Sequence, residues 1–335
     1  MVSGLSAIGG VAIHGIGVPD DADVPGAVRP SNTTTRAPAN KFAKLAFDMV
    51  RAGTLAARTP SSIYHGVDGF LPFGTPRRMV RMLTAYDLGF LRYPELFDTP
   101  TRLLNTWHAR TRIAEAHKVL AISVTTADDL MALLGIPSSR IAVVWSGYSD
   151  FFSPGDELMD TEPPFFLAVG GANPRKNLVR VISAFSEWRR HSSNHRDATL
   201  RVTGHVDSKF QQRLGSRVEH VTFEGFVDRS RLRDLYRSTA GLAFPAVYEG
   251  FGIPILEAMA SGAPVMTSHH GATAEVAGDA AVLVDPMLVT SIARGFEHML
   301  EAGQTLRSAG IARARAFSWR HTAEAIRTEY DSAIR

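Results

Sequence analysis

Two carboxylates stand eight residues apart around a glycine-containing turn: Glu249 and Glu257 in the run Glu249-Gly250-Phe251-Gly252-Ile253-Pro254-Ile255-Leu256-Glu257. On one continuous helix that spacing would set the side chains roughly 80° apart. Gly250, Gly252 and Pro254 interrupt the segment, so the two acids can converge on one ligand from different elements and hold its hydroxyls. Pro254 fits a first helical position, where its missing N–H costs nothing. The pattern predicts a helix over 254–261 with Glu257 in its first turn and Gly262 as its stop. The free N–H groups from about Gly252 to Leu256 would then point outward with the positive end of a dipole of about half a charge. Such a terminus holds an anion, most naturally a phosphate.

A second group of chemistry-bearing residues lies upstream, in Gly170-Gly171-Ala172-Asn173-Pro174-Arg175-Lys176. The glycine pair, Gly171 in particular, lets backbone approach a ligand. Arg175 and Lys176 then supply two cations just before a predicted helix. Facing the 252–256 turn, they can neutralise a pyrophosphate without a metal.

These residues need a scaffold that brings loops together, and the chain's periodicity predicts one. Its 335 residues, 45% of them apolar, suit two domains of roughly 150 to 180 residues. Strands and helices alternate, which implies parallel βαβ units and an α/β fold. In the first half, a helix is predicted over 40–58, strands over 63–65, 79–85, 119–123 and 141–145, and helices over 101–116 and 127–134. Ligands in such sheets bind at the carboxyl ends of strands, where His65, Tyr86, Asp87 and Ser123 fall. Phe151 to Pro164 reads as a linker. A second series follows, with strands over 165–169, 200–203, 218–223, 240–244, 263–267 and 281–284. Its helices are predicted over 177–190, after Asp228, and over 289–302 and 305–316, before a last helix over 319–334.

Composition excludes several classes. The chain has no cysteine, so it carries no disulfide, thiolate metal site or cysteine nucleophile, which suits a reducing compartment. The start does not resemble a secretion signal, and no apolar run reaches the length of about 18 residues that spans a bilayer. A cytoplasmic protein, peripheral on the inner face of the membrane, is the expectation. The net charge of +3 does not argue for nucleic acid. Residues 36–118 hold 13 Lys and Arg against 6 acids, a local +7, which points to an anionic acceptor or membrane surface. Asp21-Ala22-Asp23 mimics a metal motif but sits in a polar, proline-bounded run and reads as a solvated turn.

The string from Glu249 to Gly262, Glu-Gly-Phe-Gly-Ile-Pro-Ile-Leu-Glu-Ala-Met-Ala-Ser-Gly, resembles the Glu-x7-Glu signature of retaining glycosyltransferases of family 4, which have the GT-B fold. The resemblance extends to 165–185, Val202-Thr203-Gly204, 223–227, 271–281 and Phe317-Ser318-Trp319. It is looser in the first half, at His65, Tyr86-Asp87-Leu88 and Ser123. It implies two Rossmann-like domains facing a central cleft: 1–152 for the acceptor, 153–316 for a nucleotide-sugar, and a helix, 317–335, returning to the first domain. It also implies donor contacts at Gly171, Val227, Phe251, Gly252, Ile253, Pro254, Ile255, Leu256 and Glu257, with Glu257 on the ribose. Glu249 would face the transferred sugar, and Arg175 and Lys176 the diphosphate. His65, Tyr86, Asp87 and Ser123 would line the acceptor or donor-sugar side. The implied reaction moves a sugar, with retention, to a glycan or lipid-linked saccharide, with no cofactor or metal.

Two features depart from the family pattern. Gly9-Gly10 and Gly15-Ile16-Gly17 are present, but no clear amphipathic helix follows them, which suggests a reduced or late-starting acceptor domain. Tyr86 stands where the family often has His before Asp-Leu. Both favour a second reading, a catalytically idle homologue that binds nucleotide-sugar or glycan beside a partner. A GT-B epimerase or phosphorylase is a third; the phosphorylase would need a lysine-bound pyridoxal site that the sequence does not display.

Overall fold

Short apolar runs become strands, and each intervening helix returns the chain to a parallel neighbour. The computed structural model describes residues 47–155 and 163–335. Asp21, Asp23, the early glycines and the first turns of the helix expected over 40–58 lie outside the described residues. The chain divides into two units, one running to Gly147 and taking in Ser318–Arg335, the other Tyr148–Phe317.

In the first unit, a π-helical turn, Phe47–Arg51, leads into α1 (Ala52–Ala56). Then come β1 (Ile63–Gly66), β2 (Val80–Ala85), α2 (Gly89–Arg92), α3 (Thr99–Thr111), β3 (Lys118–Ala121), α4 (Val124–Leu134) and β4 (Ile141–Val143). The four strands form one parallel sheet in the order β1-β2-β3-β4. One face packs Leu83, Val119, Ala127 and Leu130 into a core. On the other, Met82, Leu120 and Val144 meet Ala323 and Ile326 of the C-terminal helix, Trp319–Ile334. Its Ser318 cap accepts from His321 N–H at 3.1 Å, and the Thr322 hydroxyl donates to Trp145 O at 2.7 Å. Lys118 pairs with Glu329 at 3.1 Å. Contacts of this kind hold the last helix to a sheet far from it in sequence.

The second unit starts at Tyr148 rather than at residue 153 because the residues after Gly147 are already spent on it. Phe152 packs edge-on against Tyr236, and the Arg229 guanidinium lies 5.0 Å over Phe151. The elements in order are β5 (Phe165–Val169), α5 (Leu178–His191), β6 (Thr199–Thr203), α6 (Ser208–Leu214), β7 (Val221–Gly225), α7 (Arg229–Ser238), β8 (Gly241–Phe244), α8 (Ile253–Ala260), β9 (Val265–Ser268), α9 (Gly271–Ala277), β10 (Val282–Val284), α10 (Val289–Glu301) and α11 (Gly303–Ala314). The parallel sheet has the order β10-β9-β8-β5-β6-β7, a doubly wound Rossmann-like pattern. Its interior strands β8 and β9 are buried along their whole length, as a sheet covered on both faces requires. Between the sheet, α5 and α10, Phe166 makes edge contacts with Phe185, Trp188 and Phe296. Each such side chain contributes about 1.5–3 kcal/mol on burial.

Candidate functional site

The chemistry-bearing residues of the second unit gather on loops after β5, β7 and β8, at the carboxyl edge of its sheet. After β5 the chain turns through Gly170 and Gly171. Gly171, at φ +60°, lies so close to the β6 loop that a Cβ would sit 2.3 Å from His205 O. Its N–H donates to Thr203 O at 2.9 Å, and Ala172 N–H donates to His205 O at 2.9 Å. Asn173 then caps a 3₁₀ turn, Pro174–Lys176, by accepting from Arg175 N–H at 3.1 Å.

This turn delivers Lys176 to Glu249. The ammonium Nζ lies 2.7 Å from Oε1, with both side chains largely buried. The pair is not aligned as a hydrogen bond, and Oε1 has no other partner. Nζ also sits 4.4 Å over the centroid of Phe244, the last residue of β8, so its charge is shared between a carboxylate and an aromatic face. The β5 and β8 loops are laced by backbone as well: Val247 N–H donates to Arg175 O at 2.9 Å.

Past Glu249 the chain enters α8 through Gly252, at φ +117°, a conformation that suits glycine. The helix begins at Ile253, one residue earlier than the proline predicts, so Glu257 lies in its second turn and not its first. Its far end closes in a Schellman arrangement, with Gly262 N–H on Met259 O at 3.0 Å and Ala263 N–H on Ala258 O at 2.9 Å. At the near end no side chain caps the helix. Pro254 lacks an N–H, and Ile255 N–H donates to Gly252 O at 2.9 Å. Helical geometry commits Leu256 N–H to the chain. The outward donors therefore narrow from the expected 252–256 run to the amides of Gly252 and Ile253. The side chains of Phe251, Ile255 and Leu256 are buried in the core, whereas Ile253 is exposed.

Glu257 is held from α7. Tyr236 is fully buried and donates its hydroxyl to Glu257 Oε2 at 3.4 Å. Burial pushes the Glu257 carboxyl up to about 7, against the smaller opposing pulls of the Tyr236 hydroxyl and the Arg229 guanidinium. The Tyr236 phenol is itself raised well above its ordinary value by burial and by the neighbouring carboxylate. Val227 lies one residue before Asp228, which caps α7 by accepting from Arg231 N–H at 2.8 Å. The chain thus runs from Val227 through α7 to the Tyr236–Glu257 contact.

Asn177, which follows Lys176, was visible in the sequence only as a helix start. In the structure it is buried at φ +61°, and its amide donates to Pro245 O at 3.0 Å and Pro286 O at 2.6 Å. Those partners lie 68 and 109 residues away, so no local pattern could have found them.

The remaining expected residues belong to the first unit. His65, on β1, has both ring nitrogens engaged, with Tyr330 Oη at 2.6 Å and Thr84 Oγ1 at 2.8 Å. Burial holds it well below the usual histidine range, at about 4, so at neutral pH it is an uncharged link between the sheet and the C-terminal helix. Tyr86, partly exposed after β2, donates its hydroxyl to Val67 O, and burial with the nearby Asp68 charge raises its phenol. Asp87 accepts from Gly89 N–H at 2.9 Å. Ser123 is fully buried and caps α4 by accepting from Thr126 N–H at 3.0 Å. Among the described residues no cluster of three or more His, Cys, Asp or Glu could hold a metal ion. A cavity of about 490 Å³ lies at the other end of α5, lined by Glu187, Trp188, His195 and Glu297, away from these loops.

The family described as "Glycosyl transferases group 1" matches residues 151–316, the unit that carries Lys176, Glu249 and Glu257. This unit belongs to the group 1 glycosyl transferases. The O-antigen chain mannosyltransferase B of Escherichia coli is 27% identical over 276 residues, 77% of this chain and 71% of that protein. Of seven further curated relatives the chain spans 61% or less of the length. Sucrose-phosphate synthase from Thermosynechococcus elongatus superposes with a TM-score of 0.72 at 18% identity, covering 99% of this chain and 91% of that one. Anabaena HepE, solved in complex with UDP and glucose, does so at 0.62 and 18%, covering 76% and 72%. Two parallel-sheet, Rossmann-like units in one chain match the GT-B class of glycosyltransferase fold.

Proposed function

We propose that this glycosyltransferase moves a hexose from a nucleoside-diphosphate donor to a glycan or lipid-linked saccharide, with retention at the anomeric carbon. The observation that carries the reading is the Lys176–Glu249 pair, placed on the loops that lead into the uncapped N-terminus of α8. The donor diphosphate binds Lys176, Arg175 and the amides of Gly252 and Ile253. The ribose hydroxyls bind Glu257. The bond from the anomeric carbon to the diphosphate oxygen breaks, and one to an acceptor hydroxyl oxygen forms. The departing diphosphate oxygen takes the electron pair of the broken bond and accepts the proton of the acceptor hydroxyl. Lys176 and the helix terminus stabilise the charge that grows on that leaving group, while Glu249 faces the positive charge that grows on the sugar. On this reading the Lys176 cation takes the part of a metal, and none is required.

The mannosyltransferase relatives make mannose the first sugar to test, in polysaccharide assembly, and the UDP-bound neighbour makes uridine one base to include. The first unit takes the acceptor. On α3, Leu103 and Trp107 are exposed, with Arg110 nearby in the same helix, which supports an anionic membrane surface as the acceptor's setting. Binding to anionic vesicles that falls with salt tests this, and equal partitioning onto neutral vesicles counts against it.

Incubating the chain with a panel of nucleotide-sugars, with mass-spectrometric detection of free nucleoside diphosphate, tests the transferase. Release from at least one donor is expected. Donor binding without release from any of them would instead support the idle, partner-dependent homologue.

A further inference from the structure

We infer that Asn177 is a positioning residue that ties the loops after β5, β8 and β10 into one body and so sets the Lys176–Glu249 geometry. The inference rests on the transferase reading only for its catalytic consequence. Asn177 directly follows Lys176, and it is buried with 4% of its surface exposed. Its two N–H groups go to Pro245 O at 3.0 Å and Pro286 O at 2.6 Å, and its Oδ1 accepts from Arg180 Nη1 at 2.9 Å. Carbonyls only accept and a guanidinium only donates, so the orientation of the amide is unambiguous. One side chain thus joins the residue after β8, a residue just past β10 and the first turn of α5.

The backbone makes a second demand. Asn177 sits at φ 61°, ψ 25°, the left-handed region that side chains other than Asn and Asp rarely enter. Glycine meets that demand but offers no amide. Aspartate keeps the shape but turns acceptors toward two carbonyl oxygens. Asparagine satisfies both requirements at once.

The path from clamp to chemistry is short. Pro245 opens the loop that carries Glu249, and the N–H of Val247 in that loop donates to Arg175 O at 2.9 Å. The Lys176–Glu249 contact also spans the two loops, so the clamp acts beside it on the same pair. A displacement of about 1 Å among reacting groups lowers turnover by up to about 100-fold.

Asn177→Gly separates the two demands, because it keeps the left-handed backbone and removes the amide. Hydrogen exchange reads the loop coupling without any donor. In Asn177→Gly, exchange of the Val247 N–H should quicken by about 10-fold or more, the worth of one or two buried hydrogen bonds, while that of Ala263 N–H at the far end of α8 stays unchanged. With a donor that the wild-type chain turns over, kcat should fall about 10- to 100-fold and donor KM should stay within about 3-fold. In a Lys176→Ala background the same substitution should add little, since its effect runs through that lysine. Unchanged Val247 exchange, or unchanged kcat in a variant whose wild-type parent turns over donor, overturns the inference. So does equal quickening at Val247 and Ala263, which would mean general loosening. A wild-type chain that turns over no donor overturns the transferase reading alone, and exchange at Val247 then decides the role of Asn177.

Discussion

Lys176 and Glu249 lie 2.7 Å apart although they belong to loops after different strands, and neither side chain is more than 18% exposed. In this arrangement the cation that would meet a diphosphate already has a counter-charge, and the acid that would meet a sugar already has a cation. A buried pair of this kind gains little net stability once desolvation is counted, but removing one partner leaves the other uncompensated. On the proposed reading its value is in poise: a donor entering between the loops would supply phosphate to the lysine and a sugar to the acid.

Lys176→Ala should therefore weaken nucleoside-diphosphate binding by about 1.5–3 kcal/mol, roughly 10- to 150-fold, and lower turnover further. Calorimetry on UDP and GDP measures the first. Unchanged affinity for both would take Lys176 off the diphosphate. If Lys176 and the helix terminus take the part of a metal, as proposed, activity should survive EDTA; strict dependence on added Mg or Mn would overturn that part of the mechanism.

Glu257→Ala should weaken nucleoside diphosphate and nucleotide-sugar alike, again by about 1.5–3 kcal/mol, since the ribose is common to both. The carboxyl is raised to about 7 by burial, so near neutrality it is partly protonated. A ribose diol donating to it favours the ionised form. Binding should thus release protons around pH 6–7 and tighten as pH rises through about 7. Calorimetry in buffers of different ionisation enthalpy reads this release, and Glu257→Gln should abolish it. Binding that shows no proton release in the wild type would contradict a carboxylate–ribose contact.

Two histidines of the first unit, half-buried His65 and buried His108, should weaken it in acid. His65 and His108 are each lowered to about 4, mainly by burial, with Arg112 adding to the effect at His108. Unfolded, they take up protons below about 6.5; folded, only below about 4. Stability therefore falls as pH drops through 6.5 toward 4, by about 2 kcal/mol for each between pH 7 and 5. Chemical denaturation at those two pH values checks the slope. Tyr330→Phe should cost about 1–3 kcal/mol by leaving a His65 nitrogen unpaired. An equal stability at pH 7 and pH 5 would mean that the two rings are not held neutral.

The parts of this protein legible in its sequence were those set by local pattern. Phe165–Val169 is a strand because five apolar residues end at a glycine pair, and Trp319–Ile334 is a helix because Ser318 caps it. The Glu249-to-Glu257 string pointed to a glycine loop leading into a helix for the same reason. What stayed hidden depends on distant partners. His65 stood at a strand's carboxyl end, where ligands bind, but its ring is satisfied by Tyr330, 265 residues on. Helices of seven residues, α6 and α9, carry too few turns for periodicity to show. The start of α8 moved to Ile253 because Gly252 takes a left-handed conformation that no sequence pattern specifies.

The central claim is that Glu249 acts on the sugar during transfer and not on the nucleotide. Glu249→Gln keeps the shape of the side chain and removes its charge, so its effect divides the two roles. With the wild-type donor, turnover should drop about 100-fold or more, roughly 2.7 kcal/mol. Nucleoside-diphosphate affinity should stay the same or rise slightly, because Lys176 loses the acid it is paired with. Parallel measurement of turnover and of diphosphate affinity in this one variant is the direct test. A fall in diphosphate affinity that matches the fall in turnover, or turnover left unchanged, would contradict the account.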